Sequence, residues 1–129
     1  MNAEVQEKIN AEDERLREVY ELSLLFDFYG ELLGEHKKQI FEDYVLNDYS
    51  LAEVAGEAGI SRQGVHDIIK RCTRSLKEYE EKLHLVEKFE QTKKLVGDIK
   101  EISEEIRCSG NVCELEKITM ISEQILNEI

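Results

Sequence analysis

Proline and tryptophan are absent from the 129 residues, and glycine occurs only seven times, so few positions break or turn the chain. Aromatic residues are also scarce, at 7%. The whole chain is 41% hydrophobic and 36% charged, a balance that with so few turn-forming residues is typical of an all-helical protein. The composition therefore predicts an all-α fold.

Long hydrophobic runs are missing as well: the chain has no stretch of about 18 apolar residues, the length that a helix needs to span a bilayer. The N-terminus is acidic and lacks the basic and apolar regions of a secretory signal. We therefore expect a cytoplasmic protein without membrane insertion. Its length suits one domain, or a small domain with an extension.

Motifs for catalysis, phosphate binding and metal binding are absent too. The chain has no phosphate-binding glycine loop, no nucleophile elbow, no HExxH and no calcium-loop spacing. His36 has no partner at metal-ligand spacing, and Cys72, Cys108 and Cys113 show no CxxC pattern. We expect free thiols, although Cys108 and Cys113 are close enough for a transient redox pair. The sequence predicts no enzyme, metal or cofactor.

Positive charge is in short supply, with a net charge of -12. Residues 1–60 carry 5 basic and 15 acidic side chains, and residues 78–129 carry 7 and 13. Residues 61–77 reverse this balance, with 5 basic side chains against one acidic, a net charge of +4. An acidic protein should repel nucleic acid except at this segment, so any DNA affinity should be modest and strongly salt-dependent.

The basic segment follows a pattern of two short helices joined by a glycine turn, within residues 49–74. Ser50 can cap the first helix, with Glu53 three residues later, as in a capping box. Gly59 can end that helix with a positive φ, and Ser61 can cap the second. Spacing of this kind predicts a helix-turn-helix, the second helix of which can enter the major groove of DNA.

One stripe of this second helix is apolar and packs inward, which leaves a polar face to bind DNA. The candidate residues on that face are Ser61, Arg62, Gln63, His66, Asp67, Lys70, Arg71, Arg74 and Lys77. The amide of Gln63 can pair with adenine, Arg62 and Lys70 suit guanine or phosphate, and Ser61 can bind a phosphate at the helix N-terminus. Two alternatives stay open: a helical hairpin with a solvated charged face, and a protein-docking module.

The flanking segments complete the predicted organisation. Residues 1–13 are polar and acidic and are predicted to be disordered. Residues 14–77 form the helix-turn-helix domain: helices at about 14–33 and 36–46 precede the motif, and the broad apolar stripe of the first predicts burial on more than one side.

Residues 78–129 form a long helical arm and a C-terminal helical hairpin. The apolar stripe of the recognition helix continues past its end, so one helix could run from residue 61 to about 96. This apolar stripe includes Leu76, Tyr79, Leu83, Val86 and Phe89. It is longer than the hairpin could cover, so we predict a homodimer that forms through the arm and hairpin. The alternative is that part of the stripe folds back onto the N-terminal helix, in which case a monomer suffices.

Three runs carry a resemblance: LLFDFYGELL at 24–33, YVLNDYSLAEVAGEAGISRQGVHDIIKR at 44–71, and YEEKLHLVEKF at 79–89. Together they resemble the YlxM family of small bacterial helix-turn-helix proteins, and the middle run is similar to region 4 of bacterial sigma factors. Gly56 and Gly64 depart from the family pattern, which favours helix formers such as alanine there. The resemblance implies a cytoplasmic, sigma region 4-like protein with a role in regulation, linked to the signal recognition particle pathway.

The leading hypothesis is thus a dimeric regulator of transcription that binds double-stranded DNA through the basic helix. The rival hypothesis is an adaptor that uses the same helix to bind an acidic protein, or RNA of the signal recognition particle. Binding to mixed duplex DNA and to that RNA across a range of salt concentrations separates them.

Overall fold

Every regular element in residues 2–128, the part of the chain that the computed structural model describes, is helical. The chain forms two compact units, residues 1–83 and residues 84–129. The helices are α1 (Ala3–Tyr29), α2 (Glu35–Phe41), α3 (Leu51–Ala58), α4 (Arg62–Leu83), α5 (Leu85–Ser109) and α6 (Leu115–Glu128). We call residues 2–83 the helix-turn-helix unit and residues 84–128 the hairpin unit. The predicted all-α fold is confirmed.

The second half of α1 provides one wall of the core. Its buried side chains are Leu22, Leu25, Phe26 and Tyr29. The ring of Phe26 stacks on that of Phe41 in α2, with centroids 5.5 Å apart. Leu16, in the first half, is 68% exposed, so the prediction of a stripe buried on several sides holds for the second half of α1 alone. Leu32 was predicted in the same helix, but it follows the end of α1 and is 57% exposed.

The start of α1 differs from the predicted disorder of residues 1–13. Residues 3–13 are helical, and every one of them is exposed. Alanine, glutamate, glutamine and lysine favour helix, and an existing helix is extended at low cost because each further residue adds one hydrogen bond. Polarity predicts the lack of burial here but not the backbone conformation. Residue 1 lies outside the described residues.

The helix predicted at 36–46 is α2 followed by a wider last turn, residues 42–46. The Asn47 N–H bonds to the Glu42 carbonyl at 2.9 Å, five residues back, and the Tyr49 N–H bonds to the Asp43 carbonyl at 3.0 Å. Asp48 then takes φ 58, which turns the chain into Ser50. These bonds position the cap of α3.

The core of the helix-turn-helix unit forms where α2, α3 and α4 meet. Ile40, Val54, Ala55 and Val65 form one buried cluster, with Ile60 packed against it. Further along α4, Cys72 and Leu76 are buried. Their burial confirms the inward stripe predicted for the recognition helix.

The long arm is not one helix, which corrects the expectation of a continuous run to residue 96. His84 takes a left-handed φ of 54, so α4 ends at Leu83 and α5 begins at Leu85. The units therefore divide at residue 84 instead of at the predicted 78. Part of the apolar stripe packs within the helix-turn-helix unit, because Leu76 is fully buried and the ring of Tyr79 lies 5.9 Å from that of Tyr29 in α1. This is the alternative in which some of the stripe folds back onto the N-terminal helix.

The hairpin unit consists of α5 and α6, which pack against each other. Gly97 lies inside α5, since a single glycine costs a helix only about 1 kcal/mol. The turn begins at Gly110 with φ 70, and the Asn111 side chain accepts the Cys113 N–H. No residue among 84–128 is buried. Residue 129 lies outside the described residues.

Candidate nucleic-acid interface

The turn that positions the recognition helix has the predicted geometry. The Ser50 hydroxyl accepts the Glu53 N–H at 3.1 Å, and the same hydroxyl contacts the Glu53 carboxylate at 3.2 Å. Gly59 takes φ 69 and ψ 30, the left-handed conformation, and its N–H bonds to the Ala55 carbonyl. This turn brings Ile60 against the core and directs the chain into α4.

Ser61 caps α4, as predicted. Its hydroxyl accepts the Gly64 N–H at 3.0 Å, and its carbonyl accepts the Val65 N–H at 3.0 Å. A Cβ at Gly64 would lie 3.1 Å from the Ser61 hydroxyl oxygen. Glycine at this position therefore leaves the capping hydroxyl uncrowded, which is a physical reason for the departure from alanine.

All nine candidate residues are exposed. Gln63, His66, Lys70, Arg74 and Lys77 recur every three or four residues, so they form one stripe along the outer face of α4. That stripe spans about 21 Å at 1.5 Å per residue. Arg62 and Arg71 flank it. Sequence periodicity thus identified which residues face outward.

The first turn of this face contains an internal hydrogen bond that the sequence did not reveal. The Gln63 amide nitrogen donates to the Asp67 carboxylate at 3.1 Å, one helical turn away. The bond orients the Gln63 amide and leaves its carbonyl oxygen and its second N–H for a ligand. Asp67 also places the one negative charge of residues 61–77 next to the residue best suited to contact a base.

The cations of this face are available for a ligand. None of Arg62, Lys70, Arg71, Arg74 and Lys77 forms an ion pair within residues 2–128. Beneath them Cys72 is buried, and its burial raises the pKa of the thiol. The interface is therefore a row of unpaired cations supported by a neutral, apolar core.

The same residues contain neither a metal site nor a membrane-spanning helix, but they do contain a groove. No group of three or more His, Cys, Asp or Glu side chains in residues 2–128 could hold a metal ion. No helix among them is long and apolar enough to cross a membrane. A groove between α1, residues 44–49 and α4 is lined in part by Leu16, Val19, Tyr49 and Ile69. Sequence reasoning missed this groove because it assigned the stripe of α1 to the core.

Comparison with known proteins agrees with this geometry. Residues 16–114 match the model of a family described as "Putative helix-turn-helix protein, YlxM / p13 like", which is named UPF0122. The chain belongs to the UPF0122 family. The match covers α2, α3 and α4 completely, and with them every candidate residue. The resemblance inferred from the sequence is confirmed.

Individual UPF0122 proteins are similar over most of their length. The chain is 45% identical to one from Acetivibrio thermocellus over 111 residues, 86% of this chain and 95% of that protein. It is 44% identical to one from Thermoanaerobacter sp. over 108 residues, 84% and 90% of the two chains. It is 52% identical to one from Caldanaerobacter subterraneus subsp. tengcongensis over 80 residues, 62% and 68%.

Proposed function

We propose that this protein is a cytoplasmic, non-enzymatic DNA-binding regulator of transcription that acts as a homodimer. The observation that carries the proposal is the exposed outer face of α4, on which five cations are unpaired within residues 2–128. It lies on the second helix of a helix-turn-helix, the helix that such motifs place in the major groove.

The candidate residues fall into two groups according to their position along the recognition helix. Ser61, Arg62 and Gln63 occupy the N-terminal end, where a recognition helix contacts base edges and the helix dipole attracts phosphate. Lys70, Arg71, Arg74 and Lys77 lie further along, where side chains reach the DNA backbone, and their role is to hold phosphates. Sequence readout therefore rests mainly on Gln63 and Arg62, and affinity on the other cations.

Charge predicts how strongly this face binds. Each phosphate contact contributes a slope of about -0.9 to the dependence of log affinity on log salt concentration. Residues 61–77 carry a net positive charge, whereas residues 1–60 and 78–129 are both acidic. These acidic segments oppose nonspecific contact with DNA. We expect modest affinity at physiological salt and a steep loss as salt is raised.

Fluorescence anisotropy with a labelled mixed-sequence duplex, between 50 and 200 mM salt, tests the proposal. The variant Lys70→Ala, Arg74→Ala, Lys77→Ala should bind more weakly, with a slope reduced by about one unit per side chain removed. The matched control removes three exposed lysines elsewhere, as Lys8→Ala, Lys88→Ala, Lys94→Ala. Equal losses in both variants, or no duplex binding by the parent protein, would contradict the proposal.

A second candidate function uses the same face for RNA of the signal recognition particle, the pathway that the YlxM resemblance implies. The acidity of the remainder of the chain favours it, because a compact RNA element that reaches only α4 would meet less repulsion than a long duplex. The anisotropy experiment repeated with that RNA separates the candidates. Saturable RNA binding without duplex binding would replace the first proposal, and binding to neither would leave an acidic protein as the ligand of the basic helix.

A further inference from the structure

The part of α1 that precedes Leu22, its first buried residue, has an exposed apolar side. Residues 3–11 are helical, and all of them are exposed. Four aliphatic side chains before Leu22 are between 39% and 68% exposed, namely Val5, Ile9, Leu16 and Val19. A helix that packs on nothing is marginal in water, so an apolar stripe on such a helix indicates a partner.

These aliphatic residues follow a heptad repeat. Ile9 and Leu16 are seven residues apart and occupy position a, and Val5, Glu12 and Val19 occupy position d. Steps of four and three residues alternate from Val5 to Val19, over about 21 Å of helix. We call these five residues the α1 seam. A period of 3.5 residues is typical of a helix that packs along a second helix as a coiled coil.

The charges beside the α1 seam differ on its two sides. Position g carries Lys8 and Arg15, and position e carries Asp13. None of these three forms an ion pair within residues 2–128. Apart from Glu12, the other charged residues of this stretch lie at outer positions: Glu4, Glu7, Glu14, Arg17 and Glu18. One flank of the seam therefore carries only positive charge and the other only negative charge.

We propose that the α1 seam binds the α1 seam of a second copy of this chain, as a parallel two-stranded coiled coil about a two-fold axis. This deepens the proposed function, on which it rests for the homodimer alone, and DNA binding does not enter it. The interface then lies on α1 instead of on the arm and hairpin that the sequence pattern predicts.

Charge identifies a second copy as the partner. In a parallel pair, position g of one helix lies beside position e of the other helix, five residues further on. Lys8 of each copy then lies beside Asp13 of the other, and the two-fold axis repeats the pair. In an antiparallel pair g meets g and e meets e, so Lys8 would oppose Arg15, and Asp13 would oppose its own counterpart. The charges therefore select the parallel pair.

Glu12 limits the strength of this pair. At position d the two Glu12 carboxylates face each other across the axis, and like charges oppose association. Lys8 and Arg15 lie one turn before and one turn after Glu12 on the same helix, which reduces the repulsion. The helix is also preformed, because Leu22 and the residues after it anchor α1 in the core. The dimer should therefore be weak, with a mass that rises with protein concentration.

Sedimentation equilibrium over a concentration series, without nucleic acid, tests the interface. The mass of the parent chain should rise from 15.0 kDa towards twice that value. Ile9→Glu should hold it at the monomer mass, because the coiled coil would bury a further carboxylate from each copy. Ile9 is exposed in one copy, so the fold should persist, and circular dichroism checks this. The matched control Leu126→Glu adds the same charge at an exposed leucine of α6 and should leave the dimer Kd unchanged.

Glu12→Leu tests the heptad position by a gain of affinity. It replaces the two facing carboxylates with apolar side chains at position d, so the dimer Kd should fall by at least about tenfold. The control is Glu14→Leu, which adds the same side chain on the outer side of α1 and should leave the Kd unchanged.

A charge exchange tests the parallel orientation. Lys8→Asp alone and Asp13→Lys alone should each raise the dimer Kd by about threefold to tenfold, since each places like charges side by side. The double variant should return the Kd towards the parent value. In an antiparallel pair, Lys8→Asp would instead attract Arg15 and lower the Kd.

Four results would overturn the proposal. They are a parent chain of monomer mass at every concentration, a dimer that Leu126→Glu dissociates and Ile9→Glu does not, a Kd unchanged by Glu12→Leu, and a double variant no tighter than its two singles. Because mass is measured without DNA, these results are separate from a failure of duplex binding, which would contradict the recognition face alone.

Discussion

The Tyr29 hydroxyl donates a 2.6 Å hydrogen bond to the Glu80 carboxylate, which connects α1 to the C-terminal part of α4. Tyr29 is 1% exposed, and its ring also lies against Tyr79. The recognition helix is therefore held at both ends, by the Ser61 cap at its start and by α1 near its end. Rigid support at both ends favours a defined outer face.

The variant Tyr29→Phe should lower the free energy of unfolding by about 1.5 to 3 kcal/mol, because it removes a hydrogen bond to a charged group. Thermal or urea denaturation measures the change. The control is Tyr49→Phe, since the Tyr49 hydroxyl is partly exposed and makes no hydrogen bond within residues 2–128. Equal stability of the two variants would show that the bond does not support the fold.

Two glycines of the helix-turn-helix should respond in opposite directions to an added side chain. Gly59→Val should destabilise the protein by more than about 1 kcal/mol, because φ is 69 there and a β-branched residue is strained. Gly56→Ala should stabilise it by about 0.5 to 1 kcal/mol, since Gly56 is helical with nothing within 4 Å of its Cβ position. Denaturation midpoints that move in the same direction would contradict this description of the turn.

The three thiols should differ in reactivity. Cys108 and Cys113 are exposed, whereas Cys72 is buried and its burial raises the pKa of the thiol. Because the thiolate is the reactive form, Cys72 should react with a thiol reagent more slowly by at least about tenfold. Mass spectrometry of timed samples should show two early labels and one late label. Three labels added at one rate would be inconsistent with the core of α4.

The same pKa gives a dependence of stability on pH. A thiol with a raised folded-state pKa contributes fully below its unfolded-state pKa, and the contribution is lost as pH rises through the folded-state value. Cys72→Ala should therefore reduce the loss of stability at alkaline pH relative to the parent chain. Denaturation at pH 7 and at pH 10 measures that difference.

Removing the negative charge at Asp67 should strengthen binding to mixed-sequence duplex. Asp67→Asn keeps a side chain that can accept the Gln63 bond but eliminates repulsion from phosphates. Anisotropy should show an affinity about 3-fold to 10-fold higher, with reduced discrimination between sequences. An affinity unchanged by Asp67→Asn would show that this end of α4 does not approach the DNA.

Local chemistry explains what the sequence could predict. Ser50, Gly59 and Ser61 each act through contacts within a few residues, so their roles as cap, turn and cap followed from residue type and spacing. The outer face of α4 followed from its helical period alone. For α4, the predictions from apolar burial, helix capping and helical period agree with one another. All nine candidate residues are exposed, as these predictions require.

Long-range packing explains the remainder. Leu16 has the spacing of a core residue but lines the groove between α1, residues 44–49 and α4, where it is 68% exposed. The break at His84 has no glycine or proline to mark it, and a histidine at φ 54 is uncommon. The Gln63 to Asp67 bond depends on side-chain rotamers, which helical spacing permits but does not specify.

Selection of bound sequences from a random duplex library tests most directly the claim that α4 reads DNA. The parent protein should enrich a defined sequence, and Gln63→Ala should relax the preference at one position, because a bidentate contact to a base is worth about 1 to 3 kcal/mol. Lys77→Ala should bind more weakly without changing the enriched sequence. A library that shows no enrichment after selection with the parent protein would contradict specific readout by this helix.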